Sequence, residues 1–103
     1  MSKFKLDPNP TFKAVVQIPV HGGESEPVVF EFKHRTRDQL DEFYKPKKER
    51  TIEEQLMDMI VGWDLDDEFN AENVAKLAQN FIGAATALVT VYVAELMQAR
   101  TKN

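Results

Sequence analysis

Asp64, Asp66 and Glu68 are the first place in this chain where residue type and spacing suggest chemistry. They stand at the first, third and fifth positions of a calcium-loop spacing, where carboxylate oxygens would meet a hard cation. Such a loop needs glycine at its sixth position for the turn and a bidentate glutamate at its twelfth. Here those places are Phe69 and Ala75. The spacing is therefore not expected to hold a metal. Acids just ahead of a helix also stabilise its positive dipole end, which is the simpler reading.

Catalytic groups fare no better. His21 lies in a glycine-containing turn, and His34 sits beside Arg35 and Arg37 at the end of an extended segment. A solvated surface role suits both better than general-base work. No serine occupies a Gly-x-Ser-x-Gly elbow, and no phosphate-binding glycine loop is present. The absence of cysteine removes disulfides, thiolate metal sites and cysteine nucleophiles together, and fits a reducing compartment. With no constellation of nucleophile, base and oxyanion donor, neither an enzyme nor a cofactor is expected.

Binding chemistry remains. Lys33, Arg35, Arg37, Lys45, Lys47, Lys48 and Arg50 concentrate positive charge in residues 33–50, with Phe43 and Tyr44 near enough to stack on bases. Asp38, Asp41, Glu42 and Glu49 interleave with them, and residues 51–72 are strongly acidic. That pattern favours a salt-bridged helix face and a two-signed surface over a phosphate-binding stripe. The net charge of -4 points the same way.

Near the C-terminus, Leu77, Phe81, Leu88, Tyr92 and Leu96 form one apolar stripe, and Val89, Val93 and Met97 a second. A helix apolar on several sides is either enclosed by its own fold or meets a partner, and both readings stand on the sequence. Met57, Met59 and Met97 suit adaptable contacts and core gap-filling equally. The residues expected to touch a protein partner are Arg35, Arg37, Trp63, Leu88, Tyr92 and Leu96.

The elements that must position these groups follow from periodicity. Among 103 residues, 43% are hydrophobic, enough for one domain with a real core. Residues 1–10, with Pro8 and Pro10, read as a flexible arm. Phe12, Ala14, Val16, Ile18 and Val20 alternate as one strand, with Pro19 marking an edge or an end. A turn over His21 to Pro27 leads to a second strand with Val28, Phe30 and Phe32 on one face, so residues 11–34 are predicted to form a hairpin.

Four helices follow within residues 36–100. Thr36 with Gln39, and Thr51 with Glu54, are capping boxes. They open helices over about 37–44, ended by Pro46, and from about 52, with Ile52, Leu56, Met59 and Ile60 on one stripe and Gly62 as the terminator. The stretch Lys45 to Arg50 between them reads as a solvated basic linker. Leu65 and Phe69 are spaced to fold back onto the second helix. Asn70 caps a third helix to about Asn80, Gly83 marks a break, and a last helix runs from about Ala84 to Arg100. The expected fold is a single α+β domain over residues 11–103. The longest uncharged run, Leu77 to Ala94, carries Gln79, Asn80, Thr86 and Thr90 and reads as a buried helix, not a membrane span. The first residues contain no apolar segment of signal-peptide length.

Three segments in order, Phe4-Lys5-Leu6-Asp7-Pro8-Asn9-Pro10-Thr11-Phe12, Phe32-Lys33-His34-Arg35-Thr36-Arg37 and Gly62-Trp63-Asp64-Leu65-Asp66-Asp67-Glu68-Phe69, give the chain a further signal. In them it resembles the tail assembly chaperones of tailed bacteriophages and prophages. The resemblance spans nearly the whole chain and carries no catalytic signature. It implies a non-catalytic assembly factor of the host bacterial cytoplasm, absent from the finished virion. Such a factor binds the tape-measure protein, keeps it soluble and helps recruit tail-tube protein; a longer frameshifted form exists for some tail chaperones. Self-association is compatible with the two-signed surface. The rival readings are a small nucleic-acid-binding regulator using residues 33–50, and a structural tail or head-completion subunit.

Overall fold

In the computed structural model, which describes residues 4–45 and 50–97, an antiparallel sheet in the order β1-β2-β3 carries four helices on one face. Strands β1 (Thr11–Val20) and β2 (Glu24–Lys33) form the expected hairpin, with Thr11 opposite Lys33 and Val20 opposite Glu24. The turn is shorter than the sequence suggested. Gly22 at φ 92° and Gly23 at φ 79° adopt the left-handed conformation that only glycine takes without strain, and pairing resumes at Glu24. Val16, Ile18, Phe30 and Phe32 point into the core at 4% exposure or less, as the alternation requires.

Both capping boxes are formed. Thr36 accepts from the Gln39 amide at the head of α1 (Arg37–Tyr44), and Thr51 from the Glu54 amide at the head of α2 (Ile52–Met59). Asn70 does the same for Asn73 at the start of α3 (Ala71–Asn80). A side-chain oxygen satisfies an otherwise orphaned first-turn amide in each case. The last helix, α4, is Ala84–Met97. The remainder of its expected span to Arg100, residues 1–3 of the arm, and Pro46 to Glu49 in the basic linker lie outside the described residues.

The third strand was not foreseen. Gly62 does not terminate α2. That helix stops at Met59, Ile60 turns to extended backbone (φ -104°, ψ 137°), and β3 (Ile60–Trp63) pairs at once with β2. Phe32 lies opposite Ile60 and Glu31 opposite Gly62, so Val61 is an extra residue at a bulge and stays 42% exposed. The β-branched pair Ile60-Val61 and Trp63 suit this edge, and pairing overrides the continuing helical period. Ile52, placed on the buried stripe by that period, is 55% exposed, whereas Leu56, Met59 and Ile60 are buried.

α3 and α4 meet at a 111° bend, and no single helix among the described residues is long and apolar enough to cross a membrane. Gly83 in the bend approaches Pro19 so closely that an added Cβ would lie 3.1 Å from the Pro19 ring, which ties the elbow to the end of β1. Ala84, Leu88 and Tyr92 form a fully buried stripe at helical spacing. Val89 and Val93 on the flank are half-buried, while Thr86, Thr90 and Met97 face outward. The fold thus encloses most of α4 without a partner.

Candidate functional site

Among the described residues, salt bridges join the basic and acidic segments at a single carboxylate. They meet at Asp58, on the last turn of α2. Its carboxylate lies 2.7 Å from Arg35 Nη2, 2.6 Å from Arg50 Nη2 and 3.8 Å from Lys33 Nζ. Burial works against its charge, yet the Arg35 and Arg50 guanidinium groups win and hold the carboxyl below its ordinary value. Arg35 Nη1 also donates to the Asp58 carbonyl at 3.0 Å and to the Tyr92 hydroxyl at 2.8 Å. The Tyr92 hydroxyl in turn donates to the Lys33 carbonyl at 2.7 Å. Phe43 stacks beneath both guanidinium groups, 4.5 Å from Arg35 and 4.9 Å from Arg50. The Arg35 side chain is only 10% exposed. This cluster joins the end of β2, α1, α2 and α4, so its chemistry is spent inside the fold.

Beside a concavity of about 280 Å³ at this cluster, two others among the described residues have larger apolar linings. The first lies at the corner after β3. Trp63, Leu65, Leu77 and Phe81 line a cavity of about 300 Å³, rimmed by Asp67, Lys76, Asn73 and Asn80. The indole is fixed from three sides. Its Nε1 donates to the Asp67 carbonyl at 2.8 Å, Phe69 meets it edge-on at 5.2 Å, and Phe30 at 6.1 Å. The acidic loop around it is held locally as well: Asp64 exchanges hydrogen bonds with the Val29 backbone, and the Glu68 carbonyl accepts from Asn73 Nδ2. Among the described residues no three carboxylate or imidazole side chains gather as they would around a cation. Phe69 packs on Trp63 and against the buried core, and Leu65 stays 36% exposed. Ile82, which follows the cavity-lining Phe81, projects from the α3–α4 elbow at 88% exposure.

The second concavity, about 400 Å³, lies between residues 4–13 and the end of α4, with Phe4, Leu6, Phe12 and Leu96 as its apolar lining and Lys5, Lys13, His34 and Glu95 at its margins. Phe4 and Leu6 are 78% and 88% exposed.

Of the residues expected to contact a partner, Arg35 and Tyr92 are brought together, but as partners of each other in the interior. Leu88 and Tyr92 are fully buried, so in this conformation neither offers a surface. Of the two readings of the stripe left open by the sequence, the core one describes Leu88 and Tyr92 in this conformation, where α4 packs on β1 and α2. Arg37 is exposed on α1, Trp63 lines the first concavity, and Leu96 lines the second. Sequence reasoning missed Ile82, whose signal was an isoleucine directly before a helix-breaking glycine. It also missed Asp58, a lone acid among Leu56, Met57, Met59 and Ile60.

Among the described residues, four cations of the basic segment have carboxylate partners, three of them sharing one carboxylate. Lys33, Arg35 and Arg50 converge on Asp58, and Lys45 Nζ lies 2.8 Å from Glu42, which raises the Lys45 pKa through that hydrogen bond and charge.

Comparison with known proteins agrees with the resemblance noted in the sequence. A family model described as phage tail assembly chaperone matches residues 1–103, the whole chain. No curated protein and no solved structure matches.

Proposed function

The chain belongs to the phage tail assembly chaperone family, and from that membership we propose that it binds the tape-measure protein, keeps it soluble while the tail forms, and brings tail-tube subunits to it. It does so by binding alone, without catalysis, in the host cytoplasm, and leaves before the virion is complete. The observation that carries the reading is the open corner built by Trp63, Leu65, Leu77 and Phe81, with Ile82, which follows Phe81, projecting from the elbow. A tape-measure protein is largely long amphipathic helix. An apolar trough with a pinned aromatic floor, one acid and one lysine at its rim suits one turn of such a helix, through the helix-in-groove mode of recognition. The Leu96 groove under residues 4–13 offers a second contact of the same character, and Arg37 supplies an exposed cation at the surface.

Co-expression with the long helix-rich protein encoded alongside it tests this reading. The client should move to the soluble fraction and co-purify. A client that stays insoluble while this chain remains folded and alone rejects the assignment. Nucleic-acid binding through residues 33–50 is disfavoured, because among the described residues Lys33, Arg35 and Arg50 converge on Asp58, Lys45 pairs with Glu42, and acids interleave along the segment.

A further inference from the structure

β1 is an edge strand, and the direction of its hydrogen bonds determines what its free side presents. The His34 amide donates to the Pro10 carbonyl at 2.9 Å, which extends the same ladder that pairs Phe12 with Phe32. In an antiparallel ladder, directly bonded pairs alternate with unbonded ones. The even-numbered residues of β1 therefore direct their backbone groups at β2. Those of Thr11, Lys13, Val15 and Gln17 point off the sheet, where the described residues place no strand. Pro19 occupies the next outward position, so its missing amide costs β2 nothing. Among the described residues the result is a long edge whose outward donors and acceptors meet no other strand, with Lys13 as the one charged side chain of β1.

We infer that a second copy of this chain pairs antiparallel with this edge, centred on Val15. The register follows from the side chains. Centring on Val15 overlaps Thr11 to Pro19 in full and sets Lys13 opposite Gln17 of the other copy, whereas centring on Lys13 would set two ammonium groups face to face. On the helix-bearing face, Phe12 then meets Ile18 and Ala14 meets Val16, which continues the core pattern from one copy to the next. On the bare face, Val15 is 53% exposed and lies opposite Val29. Pairing joins the two Val15–Val29 pairs into one apolar strip, and so accounts for an exposed valine on a face otherwise held by Lys13, Gln17 and Glu31. The two sheets merge into one with strand order β3-β2-β1-β1-β2-β3. This surface is distinct from the Trp63 corner and does not depend on the chaperone reading.

The chain has no cysteine, so a single introduced thiol reports only contacts between copies. In the proposed register, Val15 faces its own copy at a Cα separation of about 5.5 Å, within disulfide range. Gln17 and its copy are about 13 Å apart. Mild oxidation of V15C should give a covalent dimer rapidly, and Q17C should not. Sedimentation of the unmodified chain should show a concentration-dependent dimer, and V15K, which sets two lysines opposite each other on an exposed face, should weaken it at least about tenfold. Equal cross-linking of V15C and Q17C, a chain that stays monomeric up to the millimolar range, or V15C linking to a thiol-bearing client peptide in preference to itself would overturn the assignment.

Discussion

Arg35 Nη1 lies 2.8 Å from the Tyr92 hydroxyl, joining the end of β2 to the centre of α4 across 57 residues of chain. The same hydroxyl donates to the Lys33 carbonyl, and every buried side-chain nitrogen and oxygen among the described residues has a partner. Tyr92→Phe keeps the ring contacts with Phe32, Phe12 and Phe43 but leaves a carbonyl and a guanidinium N–H short of a partner. Urea unfolding should show a loss of about 1–3 kcal/mol. Leu88→Ala, a purely apolar deletion one turn earlier, should cost about 2–5 kcal/mol.

Arg35 should not tolerate lysine. A single ammonium cannot reach Tyr92, the Asp58 carbonyl and the Asp58 carboxylate together while stacking on Phe43. Arg35→Lys should therefore be clearly destabilised in thermal unfolding, whereas Arg37→Lys, on the exposed face of α1, should match the parent.

Asp58 gives the fold an acid-sensitive step. Its carboxyl is held below the ordinary value of 3.8, so on acidification the unfolded chain takes up this proton before the folded one. The stabilisation is present above that value and is lost as pH falls through the lower, native one. Asp58→Asn removes the dependence. Urea midpoints of the two proteins should differ at neutral pH and converge below about pH 4. Parallel curves would show that the ion cluster contributes nothing to the acid response.

Much of this was legible in the sequence. The two strands, both capping boxes and the Asn70 cap are local signals and all are present, although the second strand begins at Glu24, inside the expected turn. The stripe through Leu88 and Tyr92 was legible as apolar, but a stripe does not say whether β1 or another protein covers it. β3 was hidden because Ile60 continues the helical period of Leu56, and only pairing with β2, far away in sequence, decides against helix. The Asp58 cluster was illegible for the same reason: charge counts along the chain give two blocks of opposite sign, and only the fold shows that Lys33, Arg35 and Arg50 of one converge on Asp58 of the other.

Paired cations should make the chain a poor ligand for nucleic acid. Mobility shifts with duplex DNA should show no binding at physiological salt. A regulator using residues 33–50 would bind, with affinity falling steeply as salt rises in proportion to the phosphates contacted.

The proposed client site is tested most directly by measuring how much tape-measure protein stays soluble when co-expressed with the parent chain, with Leu65→Asp and with Ile82→Asp. Both positions are exposed, so the variants should keep the parent's circular dichroism and melting behaviour. The account predicts a largely soluble client with the parent and a largely insoluble one with either variant. Folded variants that hold the client in solution as well as the parent does would contradict it.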